Sequence, residues 1–267
     1  MKAKVFLLVV VFVTALASAN ISAAPLVFFG EDLAAGGPGG MPNSFAARDA
    51  FTGHLTGFGL QDFESFTGGT LFPDANPLTF TGSSVTGFLT GGGVLNVPFN
   101  GRFAVSGTNY LDTSFNRRIT FSSPVAAFGT FVIDANEVNN NPATATQNDQ
   151  VLTQEQIDAR PFDTIDGIFR IVTERSPGVY ELLFSLGTFP ALNSSALFAG
   201  IIDVANPFTN IILVNGTSGL DPLFRDGFGY DNFMVATADQ VVPEPATMIL
   251  LGSGLLGLAG LRKKFKK

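Results

Sequence analysis

Short apolar runs alternate with glycine-containing turns along most of the chain, from residue 52 to residue 236. Six Thr-Gly pairs lie between Thr52 and Gly91 alone. Turn residues recur about every 8 to 12 positions, with no long helical pattern between them. This pattern predicts a mainly β chain that folds as an antiparallel, jelly-roll-like β-sandwich. The predicted strands are Leu78–Phe80, Val85–Leu89, Val94–Val97, Ile119–Phe121, Val125–Ile133, Ile168–Thr173, Val179–Leu186, Leu197–Val204, Phe208–Val214 and Phe228–Val235.

We expect a single domain over residues 25–240, because no shift in composition marks a boundary within them. One short helix is expected at Asn43–Phe51, where apolar side chains share an approximate helical face and either of the first two residues can supply the N-cap. The polar stretch 139–163 is expected to be a long loop, with or without one helical turn. Residues Ala236–Val242 are expected to form a short linker to the C-terminal segment.

The N-terminus has the order of charged, apolar and small residues that is typical of a secretory signal peptide. Lys2 and Lys4 precede the apolar run Val5–Val13, and Ala17-Ser18-Ala19 follows. This predicts a signal-peptide helix over residues 1–19, removed by signal peptidase after Ala19 or, as the competing site, after Ala23. An uncleaved membrane anchor is the alternative, but the apolar run is shorter than the ~20 residues that span a bilayer.

The C-terminus has three parts in a fixed order. The motif Pro243-Glu244-Pro245 comes first, followed by the apolar run 246–261 and the basic end 262–267. The prolines keep the motif extended and accessible. The apolar run predicts a short transmembrane helix, and the positive-inside rule places the basic end in the cytoplasm. The sandwich would then lie outside the cytoplasm, flanked by the signal-peptide helix and this transmembrane helix.

These three parts, over residues 242–267, resemble the PEP-CTERM sorting tail of Gram-negative bacteria. The resemblance implies that the chain is a substrate of an exosortase, a membrane transpeptidase that processes the tail near Pro243, Glu244 and Pro245. It also implies transient anchoring in the inner membrane, followed by transfer to the cell surface or extracellular matrix. Bacteria with such proteins typically build an exopolysaccharide, which is therefore an expected partner. The alternative is an ordinary tail anchor that is never cut.

Charge and composition exclude several classes of function. Every lysine lies near an end, so the interval between Lys4 and Arg262 holds 8 arginines and 22 acidic residues, a net charge of −14. Such a charge repels the phosphate backbone, and no nucleic-acid partner is expected. Cysteine is absent and His54 is the single histidine, which removes thiol catalysis and makes histidine-based metal sites and triads improbable. The 28 phenylalanines are expected to fill the space between the sheets.

Three carboxylates form the candidate site of the body. If Asp62 and Glu64 lie on a strand, they point to the same face, and Asp231 belongs to the segment 226–233 that opens the last predicted strand. The layout loosely resembles lectin-like jelly rolls, in which an early acidic residue and an Asp near the final strand hold a structural calcium. Alternatively, these residues stabilise turns and face water.

These observations lead to two expectations about function. The first is a non-enzymatic structural or binding protein of the cell surface or matrix, for which the sequence establishes no cofactor. The second is a carbohydrate-binding or carbohydrate-active sandwich in which Asp62, Glu64 and Asp231 hold calcium.

Overall fold

The computed structural model of the chain describes residues 24–72, 75–113, 116–135, 169–186, 194–215 and 227–242. The predicted signal peptide, the polar stretch 139–163 and everything from Pro243 onward therefore lie outside the described residues. Within the described ranges, no helix combines the length and the apolar character needed to cross a membrane.

The described residues form thirteen strands and one α-helix, together with two 3-10 helices at Pro38–Gly40 and Ala238–Gln240. The helix, α1, covers Pro42–Gly53. The strands are β1 (Leu26–Asp32), β2 (Gly59–Gln61), β3 (Ala75–Thr79), β4 (Thr86–Thr90), β5 (Gly93–Leu95), β6 (Tyr110–Thr113), β7 (Arg117–Val125), β8 (Ala127–Ile133), β9 (Phe169–Ser176), β10 (Val179–Ser185), β11 (Ala196–Ile202), β12 (Phe208–Asn215) and β13 (Phe228–Ala236).

The strands build two antiparallel sheets. In the first sheet the order is β1-β11-β8-β13-β6-β5, and β2 also pairs with β13; in the second the order is β10-β9-β12-β7-β4-β3. The two sheets pack face to face, because the main apolar cluster takes residues from both, such as Phe128 of the first sheet and Phe121 of the second. The prediction of a mainly β, antiparallel sandwich with one short helix is confirmed.

Alternation along the strands separates the inner and outer faces of each sheet. In β12, Ile211 and Leu213 belong to the core between the sheets, whereas Ile212 and Val214 belong to a small cluster on the opposite face. The inner core is rich in phenylalanine, as expected from the composition. Neighbouring rings in this core meet at centroid distances of about 5 to 6.5 Å in tilted or edge-to-face geometry, which is favourable for aromatic pairs.

Helix α1 covers the outer face of the first sheet. Its buried Phe51 packs against Phe198 and Phe28, with ring centroids 5.5 and 5.6 Å apart. Gly129 and Gly200 lie opposite each other on β8 and β11 beneath this ring. A Cβ on Gly200 would come within 2.6 Å of the Phe51 ring, so glycine is required here for the helix to pack this closely.

The helix lies where the sequence predicts it, but the N-cap prediction is wrong. The residue before the helix, Met41, makes no side-chain cap. Instead, Asp32 at the end of β1 accepts hydrogen bonds from the backbone N–H groups of Asn43 (3.2 Å) and Ser44 (2.9 Å) and from the Ser44 hydroxyl (2.7 Å). A negative charge at a helix N-terminus is stabilised by the free N–H groups and the helix dipole. Asp32 therefore joins the first strand to the helix.

Strands were predicted best where apolar residues are dense. The pattern does not predict β2 and β6, which have only three and four residues, or β1, which ends in Gly-Glu-Asp. The prediction of one strand over Val125–Ile133 is wrong at its start, because Val125 ends β7 and β8 begins at Ala127. The pairing of β7 with β12 shifts register beside Pro124, which has no N–H to offer a neighbouring strand.

Replacement of Asp32, which caps helix α1 from the end of β1, is expected to destabilise the body. Asp32→Ala should lower the free energy of unfolding by about 1–2 kcal/mol, as other helix N-cap losses do, measured by urea denaturation of the purified protein. Asp49→Ala is the matched control, because the Asp49 side chain lies on the exposed side of the same helix and forms an ion pair with its neighbour Arg48. Equal stability of the two variants would contradict the capping role.

Candidate functional site

Asp231 is completely buried in the middle of β13. Its Oδ2 accepts hydrogen bonds from the backbone N–H groups of Val105 (2.8 Å) and Ser106 (2.9 Å), and its Oδ1 accepts one from the N–H of Asn232 (2.7 Å). The pairing of β13 with β8 shifts register between Asp231 and Met234, and Asn232 has a left-handed φ of 54°. This bulge re-aims the side chains, and the carboxylate ties the last strand to the loop Val105–Asn109. We call this segment the clamped loop.

Glu64 holds the other side of the clamped loop. Its Oε1 accepts hydrogen bonds from the backbone N–H groups of Thr108 (2.8 Å) and Asn109 (2.6 Å). Gly107 has a φ of +59°, and a Cβ there would come within 2.4 Å of the Glu64 carboxyl carbon. Glycine is thus required at this position both by the backbone conformation and by the approach of the carboxylate.

Asp62 and Glu64 do not share the face of a strand. Strand β2 ends at Gln61, and Phe63 has a left-handed φ of 61°, so the two acidic residues lie in a turn. Within that turn, Asp62 Oδ1 accepts a hydrogen bond from the Glu64 N–H at 3.2 Å. The same-face geometry expected from a strand is therefore wrong.

Several polar residues of this region have roles that the sequence pattern does not indicate. Asn109 donates from Nδ2 to the carbonyls of Phe63 (3.2 Å) and Phe66 (2.8 Å), and the Ser106 hydroxyl donates to Asn232 Oδ1 (2.9 Å). The run Ser-Gly-Thr-Asn at 106–109 consists of turn-forming residues and indicates a loop at this place. Its partners are more than forty positions away, so local patterning could not identify them.

Burial raises the pKa of Asp231 from 3.8 to about 7. The hydrogen bonds from Ser106, Val105 and Asn232 act in the opposite direction, and the negative charge of Asp62 adds a smaller increase. The buried carboxyl group of Asp231 therefore changes its charge near neutral pH.

Two of the three candidate calcium ligands are engaged with backbone N–H groups of one loop. Within the described ranges, no group of three or more His, Asp or Glu side chains is arranged to hold a metal ion. Calcium binding by Asp62, Glu64 and Asp231 stays a prediction. What the geometry shows is a clamp: two acidic side chains, from the turn after β2 and from β13, hold the clamped loop between them.

The segment Ala236–Val242, expected to be a short linker, begins with the last residue of β13 and is docked on the body. Thr237 and Gln240 form a capping box around the 3-10 helix. The Thr56 N–H donates to the Gln240 carbonyl (2.7 Å), and the Val242 N–H donates to the His54 carbonyl (2.8 Å). The body therefore extends to the residue that immediately precedes Pro243.

The raised pKa of Asp231 predicts a specific dependence of stability on pH. A carboxyl whose pKa is higher in the folded than in the unfolded state stabilises the fold most at low pH, and this contribution is lost as the pH rises toward the folded-state value. Between pH 5 and pH 8, the wild type should lose about 2–3 kcal/mol more unfolding free energy than Asp231→Asn, at 1.36 kcal/mol per pKa unit. Urea titrations at both pH values measure this difference, and parallel pH profiles would contradict it.

The predicted sorting residues Pro243, Glu244 and Pro245 lie outside the described residues, but they fall inside a match to a known family. The family model of the PEP-CTERM protein-sorting motif matches residues 241–264. No curated protein matches the chain. The match begins at Val241, which pairs with Leu55 of the body. The chain therefore carries the PEP-CTERM sorting tail of exosortase-sorted, exported proteins, attached directly to a β-sandwich body.

Proposed function

We propose that this chain is a non-enzymatic structural or binding protein of the cell surface or extracellular matrix, sorted by an exosortase and associated with exopolysaccharide. The observation that carries the proposal is the PEP-CTERM protein-sorting motif at residues 241–264. The tail directs the chain to a location outside the cytoplasm. The sandwich remains at that location after the exosortase has removed the tail.

The proposed route has three steps. The signal peptide, residues 1–19, directs export and is removed by signal peptidase. The apolar run 246–261 then holds the chain in the inner membrane, with the basic end in the cytoplasm. An exosortase recognises Pro243-Glu244-Pro245 and releases the body to the surface or matrix of a Gram-negative cell.

The use of the acidic residues in the body supports a structural rather than a catalytic role. Glu64 and Asp231 both accept hydrogen bonds from backbone N–H groups, and Asp231 is completely buried. General acid–base chemistry requires a carboxyl that can reach a substrate proton. The body, residues 25–242, also carries 8 arginines and 21 acidic residues, a net charge of −13, which favours solubility outside the cell and does not attract other polyanions.

One surface feature favours carbohydrate binding as the binding activity. Phe99 is 49% exposed and pairs with Arg102 across a tight turn at Asn100-Gly101. The Arg102 guanidinium lies 5.1 Å from the centre of the Phe99 ring and fixes its orientation. An exposed aromatic face can pack on the apolar face of a sugar ring. Retention on immobilised host polysaccharide that is lost in Phe99→Ala, but kept in Phe88→Ala at a similarly exposed ring, would establish this activity.

The sorting step is tested by replacing Pro243-Glu244-Pro245 with three alanines in the native host. The wild type should leave the membrane fraction and reach the surface or matrix, whereas the variant should stay in the membrane because the exosortase cannot recognise its tail. Fractionation and immunoblotting measure the distribution. Pro98→Ala, at an exposed proline of the body, is the control for loss of a proline and should be sorted like the wild type. Release of the triple-alanine variant at the wild-type level would contradict the proposal.

A further inference from the structure

Both termini of the body leave from the same end of the first sheet. One row of paired residues crosses four strands at this end: Leu26 pairs with Ile202, Ile202 with Ala127, and Ala127 with Ala236. Leu26 is the first residue of β1, and Ala236 is the last residue of β13. The predicted signal peptide and the sorting tail are therefore joined to one end of the sandwich.

The docked segment leaves almost no slack between the body and the apolar run of the tail. Val242 is bonded to the carbonyl of His54, and the apolar run begins at Ala246. A fully extended chain advances at most ~3.6 Å per residue, so Ala246 lies within about 14 Å of Val242. The polar layer on each side of a bilayer is roughly 5–8 Å thick. A body held by this tail must therefore sit at the membrane surface with this end toward it.

The same end carries exposed apolar side chains. Val204 lies in the turn between β11 and β12, and Val179 begins β10 at the turn after β9. The two turns are joined, because Arg175 donates to the carbonyls of Asn206 and Pro207. We define the terminal face as the four valines at this end, which are 40–56% exposed: Val27, Val179, Val204 and Val242.

Among the described residues, the charged groups near the terminal face are one arginine and three carboxylates, so this end carries a net negative charge. Arg175 forms ion pairs with Glu181 and Asp203, and Asp239 accepts a hydrogen bond from the Thr237 hydroxyl. Lysine, which attracts anionic lipid, does not occur between Lys4 and Lys263. Contact with a membrane at this end would therefore depend on apolar surface and on the tether, and it would not require anionic lipid.

We propose that the terminal face lies against the lipid headgroups while the chain is anchored, and that its four valines contact the membrane interface. The proposal rests on the anchored stage of the proposed function. It follows from three features together: the shared exit of both termini, the short tether and the apolar side chains around the exit. The opposite end of the sandwich then points away from the membrane, and removal of the tail frees the terminal face.

Single-cysteine variants of the full chain test this orientation, because the natural sequence contains no cysteine. V179C and V204C probe the terminal face. L33C is the matched control: Leu33 is 51% exposed and follows Asp32, which lies in the row at the other end of the sheet. Each variant, without its signal peptide, is reconstituted through its tail into phosphatidylcholine vesicles and treated with a membrane-impermeant thiol reagent.

V179C and V204C are expected to react several-fold more slowly than L33C in the vesicles, and as fast as L33C in chains that end at Val242. Equal rates in the vesicles would overturn the orientation. Slow reaction that persists in the tail-less chains would also overturn it, because a second copy or the body itself would then cover the face. A full chain that does not sediment with vesicles would overturn the anchoring step of the proposed function as well.

Discussion

Packing of phenylalanine rings between the two sheets is the interaction on which the rest of the body depends. Seven phenylalanines and one tyrosine form a continuous path of ring contacts, which crosses the core and ends at the exposed Phe29: Phe80, Phe121, Phe128, Phe233, Tyr230, Phe169, Phe184 and Phe29. Each buried ring removes a large apolar area from water. The chain has no cysteine and hence no disulfide, although it carries the sorting motif of exported proteins. Apolar packing therefore carries the stability that disulfides supply in many secreted domains.

Acidic side chains hold the helix and a loop in place by accepting hydrogen bonds from backbone N–H groups, which apolar packing cannot do. Asp32 caps the helix on one face of the first sheet, while Glu64 and Asp231 hold the clamped loop. Burying Asp231 costs free energy, which three N–H donors offset only in part, so its pKa stays raised. The residues that suggested a calcium site thus have an identified structural task, whereas the match to a known family lies in the sorting tail.

The sequence predicts those features that depend on neighbouring residues. Ten strands and helix α1 follow from local apolar patterns, and the sorting motif is contiguous at residues 241–264. The helix cap and the clamp cannot be predicted from local sequence patterns. The hydrogen bonds from the Ser44 N–H to Asp32 and from the Val105 N–H to Asp231 join residues that only the folded chain brings together. The same applies to the docking of Val242 on His54. The sequence indicates a loop at each of the two residues, and only the fold shows that the Val242 N–H donates to the His54 carbonyl.

The proposed function requires that a folded body, which ends at Val242, is joined directly to a tail that is removed. Intact-mass spectrometry of the mature protein from its native host distinguishes removal of the tail from its retention. We expect a chain that begins after Ala19 or Ala23 and ends at or beside residues 243–245, with the whole body retained. A mature mass that still includes Leu261 and the terminal lysines would contradict it and would identify an ordinary tail-anchored envelope protein.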